Sequence, residues 1–70
     1  MDVKSEIAGK VWKIVTKVGD KLDEEDEILI LESMKMEIPV GAPGAGRLAE
    51  ILVEEGESVQ EGQVVARIEA

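Results

Sequence analysis

Cysteine and histidine are both absent from this 70-residue chain, tyrosine and phenylalanine are absent too, and tryptophan occurs once. Without cysteine there is no disulfide, no thiolate metal site and no thiol nucleophile. Without histidine the side chain best suited to moving protons near neutral pH is missing. A domain of this size removes only about 60% of its unfolded surface from water, which argues against a deep enzyme cleft. No catalytic residue and no metal ligand set is therefore assigned, and regular packing must supply the stability that small folds otherwise take from a disulfide or a metal. Basic residues are scarce as well. Sixteen acidic side chains against 8 basic ones leave a net charge of −8, which opposes approach to nucleic acid and to anionic membranes. No apolar run approaches the roughly 20 residues that span a bilayer, and Met1-Asp2-Val3-Lys4-Ser5-Glu6 has no signal-peptide core. The reading is a soluble cytoplasmic protein, or a mitochondrial one if a transit peptide or longer parent chain is missing.

What the chain does have is a repeat. Gly9, Val11, Ile14, Gly19, Leu22 and Leu31 match Gly46, Leu48, Ile51, Gly56, Val59 and Ile68 at one constant offset, 37 positions, and Asp20 and Glu32 match Glu57 and Glu69 in the same register. A match without gaps predicts two equivalent halves that each give one layer to a shared core. Two copies are too few for a solenoid, so the halves must close on each other about a pseudo-two-fold axis, residues 1–70 forming one domain.

The apolar residues are β-branched or aliphatic and fall in short runs bounded by Gly, Asp and Pro, which is the pattern of strands. The runs are Lys10 to Val18, Glu27 to Met34, Met36 to Val40, Arg47 to Val53 and Val64 to Ile68. A step of three from Val11 to Ile14, repeated from Leu48 to Ile51, interrupts the period of two as a β-bulge does. No run keeps helical spacing for three turns. The fold expected is all-β: two small antiparallel sheets face to face, a flattened sandwich or barrel. Turns are expected at Gly19, Gly56 and Gly62, where positive φ costs no steric strain. The offset partner of Gly62 is Glu25, so the acidic stretch Asp23 to Glu27 must hold a strained or rearranged turn unless Asp26 takes the left-handed conformation.

The halves diverge after Glu32. The first continues Ser33-Met34-Lys35-Met36-Glu37, while the second ends at Glu69-Ala70. An asymmetric addition on a symmetric scaffold is where function is sought. Two strands meeting here make a hairpin with Lys35 at its tip, exposed and on a rigid base. A lysine amine accepts activated acyl groups once deprotonated, and its stem extends the reach of what it carries. Such an amine titrates near ~10.4, and nothing in this chain is equipped to take the proton, so Lys35 reads as the substrate of a modifying enzyme. The plain alternative is a solvated lysine between two methionines that fill the core.

The run Glu32-Ser33-Met34-Lys35-Met36-Glu37, with Ala42-Pro43 and Gly46 after it and Gly9-x-Val11 and Gly19-Asp20-x-Leu22 before it, resembles the biotinyl/lipoyl attachment domain family over about Ile7 to Ile68. The central motif is similar to the biotin attachment motif Glu-Ala/Ser-Met-Lys-Met of biotin-dependent carboxylases. The resemblance implies a flattened barrel of two four-stranded sheets. It also implies covalent biotin on Lys35, attached by biotin protein ligase, with Met34 and Met36 as flanking recognition residues and Glu32 as a ligase-recognition residue. Biotin carboxylase and a carboxyltransferase acting on an acyl-CoA or pyruvate type acceptor are the implied partners, and the isolated domain is expected to be monomeric. Glu6-Ile7-Ala8-Gly9 departs from the Pro-Met-Pro-Gly common in the family, and the Gly9 to Gly19 interval leaves no room for the thumb loop of some carriers.

Two rival readings share the fold. A lipoyl carrier domain of a 2-oxo acid dehydrogenase or of the glycine cleavage system usually carries Asp-Lys-Ala at the hairpin, and methionine on both sides of Lys35 favours biotin. An unmodified structural adaptor has no need of an intact attachment motif. Trp12 neighbours inward-facing Val11 and should lie toward the surface, either as a docking contact or as cover for a sheet edge. Asp20 and Glu57 are equivalent turn residues at separate places, with no catalytic role. Lys4, Lys10, Lys13, Lys17 and Lys21 lack the methionine frame and should stay unmodified.

Overall fold

A computed structural model describes residues 1–69, which form eight strands. They are β1 (Asp2–Lys4), β2 (Gly9–Ile14), β3 (Lys21–Leu22), β4 (Glu27–Ser33), β5 (Met36–Gly41), β6 (Gly46–Ile51), β7 (Ser58–Val59) and β8 (Val64–Glu69). Two four-stranded antiparallel sheets result, ordered β1-β8-β6-β3 and β5-β4-β2-β7. Moving along the chain by the repeat offset carries β1 onto the end of β5, β2 onto β6, β3 onto β7 and β4 onto β8, which turns the first strand order into the second. The repeat is thus a pseudo-two-fold axis in space.

The inner faces close one core. Val11, Ile28, Leu29 and Leu31 meet Leu48, Val65, Ala66 and Ile68 there, all essentially free of solvent. Burying each aliphatic side chain stabilises the fold by roughly 1.5–3 kcal/mol. The step of three in each half is a bulge: pairing slips between Val11 and Lys13 in β2 and between Leu48 and Glu50 in β6. Trp12 and Ala49 are the extra residues. Trp12 points outward, 47% exposed.

The strands β1, β3 and β7, two or three residues long, lie outside the apolar runs because so short a segment shows no periodicity. The run from Lys10 stops being strand at Ile14, earlier than its apolar pattern, because the chain there crosses to the other sheet. Gly19 N–H donates to Leu48 O and Gly56 N–H to Val11 O, each at 2.7 Å, so each half is laced to the other.

Four turns share one construction. In Lys17–Asp20, Asp23–Asp26, Glu54–Glu57 and Gln60–Gln63 the fourth residue donates its N–H to the first carbonyl, and its side-chain oxygen accepts the first N–H. Asp20 and Glu57 are therefore turn caps. The third residue has positive φ: Gly19, Gly56, Gly62 and, at 72°, Glu25. The acidic turn is not rearranged and Asp26 does not relieve it; Glu25 itself takes the left-handed conformation, held because its N–H donates to Ala42 O at 2.8 Å and Ala42 N–H donates to Asp26 O at 2.9 Å. That conformation costs about 1–2 kcal/mol for a residue with a Cβ. Glu25→Gly is expected to stabilise the fold by about 0.5–1 kcal/mol net of glycine's chain entropy, read as a higher urea midpoint at unchanged slope. Glu25→Ala should gain nothing. Equal gains in both would assign the effect to lost carboxylate repulsion instead of backbone strain.

Candidate functional site

The β4–β5 hairpin closes on the Ser33–Met36 pair and leaves a two-residue loop, Met34-Lys35. Both loop residues have positive φ, 52° and 65°. Such a turn matches the right-handed twist of the flanking strands, and Asn-Gly is its usual sequence. Met-Lys instead accepts about 1–2 kcal/mol of left-handed strain at each position. Such strain persists only where the surrounding structure holds it, here the β4–β5 register.

The framework under the tip is stiff. Leu31 pairs with Ile38 and Leu29 with Val40 across β4 and β5, and on the other side β2 pairs Val11 with Leu31. Gly9 lets β2 lie against the hairpin base, since a Cβ there would come within 2.9 Å of the Glu32 carbonyl oxygen. Pro39 sits on β5, an edge strand, where its missing N–H discourages pairing with another chain.

Lys35 is exposed at the loop, Met34 is 89% exposed and Met36 58%. The methionines do not fill the core. Met34 stands free, and Met36 continues the inward register of Ile38 and Val40 beyond the last core layer. Glu32 is exposed one pair below the loop, opposite Glu37 on β5 and Lys10 on β2. The structure thus brings Glu32, Met34, Lys35 and Met36 to one end of the barrel. Sequence reasoning missed Gly9 at its base and the double positive φ at its tip. The former was visible in the Gly9–Gly46 match; the latter is a property of the closed turn.

Chemically the site is an amine held on a rigid tip with open space around it. A surface depression lies between the Val3–Ile7 stretch and β5, with Lys35 outside its lining. Two symmetric sheets with a lysine-bearing hairpin at one end define a carrier domain of the biotinyl/lipoyl type.

Comparison with known proteins agrees. A family profile described as "Biotin-requiring enzyme" matches residues 1–68. The chain is 43% identical to the biotin/lipoyl attachment protein of Bacillus subtilis, over 97% of this chain and 93% of that one. It is 42% identical to the biotinylated protein TB7.3 homolog of Mycobacterium leprae, over 96% and 94%. Among solved structures, the urea carboxylase of Kluyveromyces lactis superposes with a TM-score of 0.93 at 40% identity, over 97% of this chain but 6% of that one. The chain belongs to the biotin-requiring family, as a biotinyl/lipoyl carrier domain.

Proposed function

We propose that this chain is a biotin carboxyl carrier in which Lys35 is the attachment residue. The observation that carries the reading is the hairpin: an exposed lysine between two exposed methionines, fixed in a strained two-residue loop. The residues fit the group. Once deprotonated, Nζ of Lys35 can attack the carboxyl carbon of biotin activated as an adenylate, forming the amide as the acyl–oxygen bond to AMP breaks and AMP leaves. Biotin so attached carries a carboxyl group from a biotin carboxylase to a carboxyltransferase.

The chain's own part is presentation. The left-handed pair at Met34 and Lys35 holds the lysine at the exposed tip of the hairpin. Met34 and Met36 give an enzyme two flexible apolar contacts beside the amine, and soft unbranched side chains suit a surface read by more than one partner. Glu32 places a carboxylate one pair below, within reach of a ligase that seats the tip. The resemblance of the chain to an attachment protein and a biotinylated protein over 93% and 94% of their lengths, and to one segment of a large carboxylase, supports the same role in either setting.

The test is the intact mass after incubation with biotin, MgATP and a biotin protein ligase. One biotinyl group is expected, located at Lys35 by peptide mapping. No addition would overturn the proposal. Addition of one lipoyl group by a lipoate ligase would then assign the lipoyl carrier role, and no addition by either would leave a structural adaptor.

A further inference from the structure

The sulfur of this chain is all thioether: it has three methionines, Met1, Met34 and Met36, and no cysteine. A peroxide that meets the protein finds no thiolate to attack, and the oxidation open to it is that of methionine to methionine sulfoxide. Which sulfur reacts first depends on access, and access separates the three. Met1 is 52% exposed, and its far end lies over Gly44, where a Cβ would stand 3.0 Å from Met1 Cε and 3.4 Å from its Sδ. Met36 is 58% exposed and continues β5 in the inward register of Ile38 and Val40. Met34, the first of the two hairpin loop residues, is 89% exposed. Its thioether is open from all sides.

Oxidation there changes the tip and spares the fold. In the step the O–O bond of the peroxide breaks, one oxygen bonds to Sδ, the sulfur is oxidised by two electrons, and the peroxide is reduced to water. A soft apolar side chain becomes a polar, chiral one. Met34 has no part in the core, so the barrel is indifferent to the change. A partner that seats the tip is not. An apolar contact made to the thioether would have to strip water from the sulfoxide oxygen and leave it unpaired, one residue away from the amine to be acylated.

We propose that Met34 is an oxidation site that controls acylation of Lys35: a peroxide converts it to the sulfoxide ahead of Met1 and Met36, and the sulfoxide form is a poor ligase substrate. This rests on the carrier reading above. The change is reversible. A methionine sulfoxide reductase supplied with a dithiol returns the thioether, the oxygen leaving as water and the dithiol becoming a disulfide.

The test treats carrier without biotin with hydrogen peroxide, then removes the peroxide with catalase before ligase and biotin are added, so that neither of these is oxidised. Peptide mapping after partial reaction should place the first oxygen on Met34. The carrier so oxidised is expected to show a KM for the ligase raised roughly tenfold, with an unchanged urea midpoint. Because the sulfur is open on both faces, both sulfoxide epimers form, so one stereospecific reductase should restore only part of the material and the two together all of it. Met34→Leu, compared with itself before and after peroxide, should lose the effect whatever its own starting KM. A first oxygen on Met1 or Met36, a parental KM for the Met34-oxidised carrier, or a peroxide effect that persists in full in Met34→Leu would overturn the proposal. A parent chain that takes no biotin before any peroxide would instead sink the carrier reading, and the control of acylation with it.

Discussion

Lys35→Arg abolishes biotin incorporation entirely, in the expected result, while leaving the fold and its urea midpoint unchanged. Five other lysines, Lys4, Lys10, Lys13, Lys17 and Lys21, are all exposed, so access to an amine does not distinguish Lys35. Presentation does. Lys10 and Lys21 lie within strands and Lys4 ends one, where the side chain stands off a sheet face; Lys13 sits beside a bulge, and Lys17 opens a turn. Only Lys35 among them has positive φ and two exposed methionines as neighbours. Arginine keeps the charge and a similar reach, but its guanidinium is not an amine that a ligase can acylate. The left-handed cost at this position is the same for both residues. Intact mass after ligase treatment reads the outcome. A biotinyl group appearing on another lysine of the variant would show that the hairpin is not what selects the site.

Gly46→Ala should be the most damaging single-methyl change outside the hairpin. A Cβ at Gly46 would overlap the carbonyl oxygen of Glu69 and Cγ2 of Ile68. The first is backbone and the second belongs to a core residue 1% exposed. Neither yields without moving β8, so β6 must shift away from the strand it pairs with. Overpacking of this kind costs about 1–3 kcal/mol, out of a total near 4–10 kcal/mol for a chain of this length. Gly44→Ala is the matched control. Its Cβ would touch only the flexible end of Met1, and it should stay within about 0.5 kcal/mol of the parent. Urea midpoints measured together decide the point, and a Gly46→Ala midpoint equal to that of Gly44→Ala would refute the close approach.

The repeat made most of the architecture legible. Gly9 and Gly46, Val11 and Leu48, and Leu31 and Ile68 keep one register because each pair fills the same place in the two layers of one core. The step from Val11 to Ile14 announced the bulge, since a strand that buries both must spend an extra residue between them. The motif Glu32 to Glu37 singled out Lys35 as the proposed attachment lysine, because packing does not demand its exposed residues. Less legible were β1, β3 and β7, whose two or three residues are strand only because a long-range partner pairs with them. Met1 shows the reason: its N-terminal amine donates to Ile68 O and its carbonyl accepts from Ile68 N–H, a pairing that depends on the whole chain having folded.

The sequence by itself determined the fold class and the two-fold repeat and singled out Lys35 as the proposed attachment lysine, because hydrophobic spacing and motif chemistry are written in residue types. Tertiary structure decided the rest. Glu25 rather than Asp26 carries the strained turn, because Ala42, just past the end of β5, fixes that loop from outside. Met34 and Lys35 are both left-handed because the register of β4 on β5 leaves two residues to close the hairpin. Pro39, Ile30 and Lys13 form one row because the β4–β5 hairpin aligns with the distant strand β2. Residues far apart in the chain have no relation until sheets set their register, and surfaces are built from that register.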